Sequence, residues 1–458
     1  MEIERVFDGT PVTLRDVLDN KERRAERQRA LLADGMRCLV CFTLNIPGEI
    51  KQFPLARAAF EEGLAAMRDA FGATVAREEI VDRVTGCEAM LVLDADPCAV
   101  KAQTTAMEDA HPLGRLFDMD VLNASGEPLS RKALGAPPRR CLICGRDAKL
   151  CGRSRAHSMD ALRLEIARRL SDHFRNRAAD VCARHATRAL LYEVSTTPKP
   201  GLVDRNNSGS HTDMDFFTFL DSSAALCPWF REMYCIGWEC PEESPESLFA
   251  RLRFAGREAE RSMFASTGGV NTHKGLIFSL GLLCGALGAT RGFAGEKADL
   301  NAALALCAKM GTLALHDLEM ADGGTNGERC YRQYRVTGIR GEAAQGFPSA
   351  RNIGLPAIRK WTEAGLSLND ASALALLALI AGVTDTNMIK RGGVVTAERR
   401  RQEAALFLRE ITRENYPEKL RALDDSYIAE NLSPGGCADL LAISLMLYFI
   451  GGPIDVND

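Results

Sequence analysis

The sequence predicts a multidomain fold, a mixed α/β N-terminal domain followed by an all-α C-terminal domain, and two contrasts along the chain carry that reading. Up to about residue 125, short apolar runs of strand length are interspersed with helical patterns. After His157 the pattern changes to long amphipathic helices that continue to the C-terminus, broken only by polar, glycine-punctuated segments.

Thr13 to Leu32 sets Leu14, Val17 and Leu18 on one face and a dense run of Arg and Glu on the rest, the pattern of an amphipathic helix. Cys38 to Leu44 and Ala89 to Leu93 have the length of strands, and Leu116 to Leu122 alternates. Leu162 to Tyr192 contains no Pro or Gly, so no flexible linker is expected, and the boundary is placed near residue 172 within or between helices. The expected domains are therefore 1–172 and 173–458. In the second domain, Ala371 to Val383 and Leu440 to Ile450 read as buried helices. Five polar segments separate such stretches: Pro198 to Asp215, Thr267 to Gly275, Gly323 to Pro348, Asp385 to Gly393, and Asn431 to Leu440. Their charged and amide side chains could not enter an apolar core unpaired. Gathered as loops at one end of a helical scaffold, they predict a site for a highly charged small molecule.

The chain has 458 residues, 46% hydrophobic and 26% charged, the composition of an ordinary globular protein. A net charge of -4 provides no global basic field for nucleic acid or anionic membrane, so any phosphate binding must be local. The acidic start MEIERVFDGT does not read as a secretory signal, and no apolar run reaches the roughly 18 residues of a membrane span. With 15 Cys, these features predict reduced thiols and a cytoplasmic enzyme without a nucleic-acid or membrane partner.

In the first domain, Phe117 to Val121 reads as a strand whose period of two places Asp118 and Asp120 on one face. Two carboxylates projecting together can hold Mg²⁺ on a polyphosphate, with Arg115 and Arg131 neutralising phosphate charge. A solvated acidic edge is the other reading. Cys141 and Cys144, with Cys151 and His157 after them, could complete a tetrahedral Zn²⁺ site or be reduced residues of a small basic hairpin. These motifs, with FTLNIPGEIK at Phe42 to Lys51 and ERRAERQ at Glu22 to Gln28, resemble the apo-citrate lyase phosphoribosyl-dephospho-CoA transferase family across most of residues 10 to 170. The resemblance implies transfer of a phosphoribosyl-dephospho-CoA group to a serine of the apo citrate lyase acyl carrier subunit, with diphosphate released.

In the second domain, TGGVNTHKG precedes the apolar Leu276 to Leu287, so a helix N-terminus can meet an anion. It departs from a P-loop, because Lys274 follows His273 and is followed by Gly rather than Ser or Thr. Asn271, His273, Lys274 and Arg391 are phosphate-facing candidates, joined by Lys199, Arg340 and Asn387. Asp204, His211, Asp213, Glu342 and Asp385 are candidates for acid, base and charge-stabilising work. Asp439 is a further carboxylate just inside a helix start, without an assigned role. PKPGLVD, GGVNTHKG, RGEAAQGFP, DTN with RGG, and NLSPGGCADLL resemble, in order, the triphosphoribosyl-dephospho-CoA synthase family over about residues 180 to 450. That resemblance implies that ATP donates its triphosphoribosyl unit to the 2′-hydroxyl of 3′-dephospho-CoA and that adenine leaves.

The two resemblances are consecutive steps, and together they predict a bifunctional enzyme of citrate lyase maturation. Two rival readings remain at this point. The same chemistry could serve malonate decarboxylase, or the first domain could be a zinc-stabilised adaptor that only docks a carrier protein.

Overall fold

The computed structural model describes residues 6–33, 37–240, 244–292, 298–320, 324, 326–412 and 415–451. The chain divides into two compact units, Met1–Arg177 and Ala178–Asp458, and the division falls within one long helix.

The first unit contains helix α1 (Leu14–Leu32), strand β1 (Cys38–Leu44), α2 (Pro54–Phe71), β2 (Val75–Val81), β3 (Glu88–Leu93), α3 (Pro97–Ala110), β4 (Phe117–Asn123) and α4 (Ala148–Arg153). The strands form one antiparallel sheet in the order β2-β3-β1-β4, which with α2 and α3 makes the β-α-β-β-α-β arrangement of a split βαβ fold. One face packs under α2, where Gly63 lies so close to Phe42 and Phe117 that a Cβ would collide with Phe42. On the other face, Leu31 of α1 closes a cluster with Leu39, Cys41, Met90, Val92 and Leu122. Three strand expectations hold to within a residue. Strand β2 was not foreseen, because VAREEIV is a largely exposed sheet edge with no clear apolar alternation.

Helix α1 begins as expected, with Thr13 and Asp16 forming a capping box. Its buried face is not the expected one. Leu14 is 76% and Leu18 50% exposed, whereas Asn20 is buried. The polar face is the useful one: Asn20, Arg24 and Arg27 converge on the buried Glu88 carboxylate of β3. A buried carboxylate needs such partners, and this need overrides the apolar stripe.

Helix α5 (Met159–Ser195) leads into α6 (Phe216–Glu239), α7 (Pro245–Ser266), α8 (Lys274–Ala289), α9 (Leu300–Met320), α10 (Asn326–Tyr334) and α11 (Gly338–Ala344). Then follow α12 (Leu355–Glu363), α13 (Leu368–Gly382), α14 (Thr386–Glu410), α15 (Tyr416–Ala429) and α16 (Gly435–Gly451). No strand occurs among the described residues of this unit. Helices α8, α13 and α16 are apolar around most of their circumference and form its buried centre. No single helix among the described residues is long and apolar enough to cross a membrane.

Two of the expected loops are largely helical. Gly323 to Pro348 contains α10 and α11, with residues 323 and 325 outside the described set. Asp385 to Gly393 is the N-cap and first turns of α14, up to a kink at Gly393 with φ +78°. The glycines that suggested loops instead permit close helix approach. A Cβ on Gly435 would lie 2.5 Å from Asn387 Nδ2, and one on Gly275 would lie 2.0 Å from Asp439 Oδ2.

Candidate active sites

In the second unit a cavity of about 1000 Å³ is lined by the N-terminal turns of α8, α14 and α16. Helix dipoles at such ends favour anions. Lys199, Lys274, Arg340 and Arg391 add positive side chains to the same wall, with Asn271 and Asn387 beside them. Each cation is held rather than loose. Lys274 pairs with Glu260 at 2.9 Å, Arg340 lies 3.7 Å from Glu328, and Lys199 pairs with the buried Glu193. Arg391 donates to the Ser210 carbonyl at 2.9 Å and to Asn431 Oδ1 at 2.7 Å.

His211, Asp213, Glu342 and Asp385 line this cavity; Asp204 is not among its lining residues. Asp204 is buried and accepts from the Thr197 hydroxyl and the backbone N–H groups of Lys199, Asn206 and Asn207. With both oxygens so occupied, it organises the 198–215 loop. Asp385 likewise accepts from Asn387, Met388 and Cys437 N–H groups, so it joins the starts of α14 and α16. Burial raises its pKa despite those bonds. Glu342 accepts from the Ser349 N–H at 3.1 Å and its hydroxyl at 2.6 Å.

His211 Nδ1 lies 3.7 Å from Asp213, and its Nε2 lies 3.0 Å from Ser433 Oγ. Burial, then the neighbouring Arg391, lowers its pKa. His273 is more deeply buried: its Nδ1 meets Ser222 Oγ at 2.7 Å, and its Nε2 has no hydrogen-bond partner among the described residues. Burial first, and then Lys199, pushes its pKa down to about 3, leaving a neutral imidazole.

Two carboxylates outside the expected set complete the lining. Glu193, given no role from sequence, is held by Lys199, and burial raises its pKa. It lies on a long helix five residues before the first polar segment, and nothing in its neighbourhood in the sequence signals its burial. Asp439 accepts no hydrogen bond among the described residues, and burial, with Glu193 and Asp385 nearby, raises its pKa well above the carboxylate range. Its position after SPGG at a helix start was visible, but its partnerless state was not.

In the first unit, Asp118 and Asp120 share the sheet face opposite Phe117, Met119 and Val121. Arg139 donates to Asp118 at 3.1 Å and also to the Phe117 carbonyl. Although the Asp120 side chain is solvent-accessible, crowding by protein and then the Asp118 charge hold its pKa above the usual value. A pair that repels itself in this way suits a cation. Arg115 has buried Nε and Nη1 groups without partners among the described residues, and Arg131 is held by Glu108 and Asp109.

Cys141, Cys144, Cys151 and His157 also come together, with one ligand atom from each within 4.8 Å of all the others. Arg146 donates to Cys144 at 3.4 Å and holds that thiol down at about 5, while the hydrogen bond shared with Cys144 pushes Cys151 up to about 11.

Residues 179–456 match the CitG family, ATP:dephospho-CoA triphosphoribosyl transferase, and residues 12–173 match the CitX family, apo-citrate lyase phosphoribosyl-dephospho-CoA transferase. The chain is 35% identical to Protein CitXG of Leuconostoc mesenteroides subsp. cremoris, over 97% of its own length and 99% of the relative's. Protein CitXG of Haemophilus influenzae is 34% identical over 97% of this chain and 98% of the relative. A probable 2-(5''-triphosphoribosyl)-3'-dephosphocoenzyme-A synthase of Streptococcus equi subsp. zooepidemicus is 40% identical, covering 59% of this chain and 97% of that protein.

Proposed function

The chain belongs to the CitG family and, over its first part, to the CitX family, and from that premise we propose how its two sites divide the work. It is a bifunctional transferase of citrate lyase maturation. The second unit joins the triphosphoribosyl group of ATP to the 2′-hydroxyl of 3′-dephospho-CoA and releases adenine. The first then transfers the phosphoribosyl-dephospho-CoA group to a serine of the apo acyl carrier subunit and releases diphosphate. The cytosol is the matching compartment, since it supplies nucleotides and keeps cysteines reduced.

The observation that carries the residue roles is the convergence of three helix N-termini and seven lysine and arginine side chains, Lys199, Lys274, Arg340 and Arg391 among them, on one cavity. Such a wall suits a triphosphate, with Asn271, Lys274, Arg340 and Arg391 facing its oxygens and neutral His273 able to donate one hydrogen bond. As the N-glycosidic bond breaks, positive charge develops at the ribose, and Glu342 is the carboxylate assigned to stabilise it. The departing adenine needs a proton. Asp439, with its pKa raised by burial, is the carboxyl able to keep one at neutral pH. His211, kept unprotonated by its lowered pKa and steadied by Asp213, takes the proton of the attacking 2′-hydroxyl. Asp385 positions the starts of the two helices.

In the first unit Asp118 and Asp120 would hold Mg²⁺, which neutralises a diphosphate leaving group when bound. Arg115, whose Nε and Nη1 are buried without partners among the described residues, is the further cation assigned to the same phosphates. Chromatography of the full chain incubated with ATP and dephospho-CoA should show free adenine. ADP or AMP in its place contradicts the glycosyl-transfer reading.

A further inference from the structure

We propose that Cys141, Cys144, Cys151 and His157 bind one structural Zn²⁺, and that this metal holds Arg139 against Asp118. The second clause rests on the transferase reading of Asp118 and Asp120.

The segment has almost no apolar core to hold it. Between Lys132 and Ser158 only two residues are buried, Cys141 and Cys151, and both belong to the cluster. A hairpin and one short helix cannot form a core from two thiols, and metals or disulfides supply the missing constraint in such pieces. All four side chains are nevertheless placed by backbone geometry. Cys141 accepts from and donates into a tight turn closed by Gly145 at φ +71°, whose shape brings Cys144 back beside Cys141. Asp147 caps α4, which presents Cys151, and the chain then returns to His157.

The distances fit a tetrahedral ion. With Zn–S bonds of about 2.3 Å, the edges of a tetrahedron are about 3.8 Å. Cys144 Sγ and Cys151 Sγ stand 3.4 Å apart, and the four ligand atoms lie within 4.8 Å of one another. His157 Nε2 is buried without a hydrogen-bond partner among the described residues, which a coordinated or metal-oriented imidazole would resolve. Three thiolates and an imidazole favour Zn²⁺ over Mg²⁺ or Ca²⁺. Each coordinating thiol gives up its proton on binding, with no change of oxidation state.

The cluster also bears on the sheet. Arg139 precedes Cys141 by two residues, and its carbonyl accepts from Ala148 N–H at 2.8 Å, within the same turn. Its guanidinium reaches Asp118 at 3.1 Å. Ordering the turn therefore places Arg139.

The test is elemental analysis of the full chain, produced with zinc supplied and purified without chelator. About one equivalent of zinc is expected, with the visible bands of a tetrahedral thiolate site after exchange for Co²⁺. Cys144→Ser and His157→Asn should each weaken metal binding about tenfold or more, while Cys98→Ser, at an exposed cysteine outside the cluster, should not. No metal and no cobalt bands in the parent chain would overturn the site, a result that does not depend on whether any variant folds. A zinc-selective chelator in excess Mg²⁺ should lower carrier modification about tenfold or more, reversibly on zinc addition, without changing adenine release. If zinc binds and its removal leaves carrier modification unchanged, the link to Asp118 is wrong. Because the metal count does not depend on activity, a failed carrier assay with zinc bound counts against the transferase reading alone.

Discussion

Gly275 shows how much one missing methyl can matter. A Cβ there would stand 2.0 Å from Asp439 Oδ2, so Gly275→Ala should displace the carboxyl of α16 while favouring helix α8, which carries residue 275. Adenine release should fall on the order of 10²-fold, as for loss of a charge-handling group, with no loss of thermal stability. Retained turnover would remove Asp439 from the chemistry. His273 gives a pH signature. Its unfolded imidazole protonates near pH 6.5, whereas the folded one does so only near 3, so below about 6.5 the unfolded state binds the extra proton. Stability from this residue is therefore complete above pH 6.5 and is lost by about 1.4 kcal/mol per unit as pH falls toward 3. All three tryptophans, Trp229, Trp238 and Trp361, lie in the second unit, so their fluorescence follows its urea unfolding. His273→Gln should lose about 2 kcal/mol less than the parent between pH 7 and 5. The buried acids Glu193, Asp385 and Asp439 work in the opposite sense in both proteins, and the difference isolates the histidine.

At the scale of elements, charge and glycine were legible, but their structural jobs were less so. The paired aspartates of β4 were readable because a strand has a period of two, and the buried helices because their apolar runs had suitable length. Asp204 and Asp385 looked alike in sequence, yet one organises its own loop through neighbours within seven residues and the other joins two helix starts, since a partner such as Cys437, 52 residues on, does not show in local pattern. Glu193 was missed because its burial against Lys199 does not show in local pattern. The strand-borne pair makes a sharp prediction. Asp118→Asn or Asp120→Asn keeps size and hydrogen bonding but removes charge, so carrier modification should be abolished while adenine release continues. Mass analysis showing carrier modification near the parent rate would return the pair to the role of a solvated strand face.

For the molecule as a whole, the account requires two activities in series, with the product of the second unit consumed by the first. Neither set of proposed residues draws on the other unit. The most direct measurement is mass spectrometry of the apo citrate lyase acyl carrier subunit incubated with this chain, ATP, dephospho-CoA and Mg²⁺, with nucleotide products followed in the same mixture. The account predicts a carrier bearing a phosphoribosyl-dephospho-CoA group on serine, with adenine and diphosphate released in equal amounts. An unmodified carrier, or ADP or AMP where adenine should be, would contradict it.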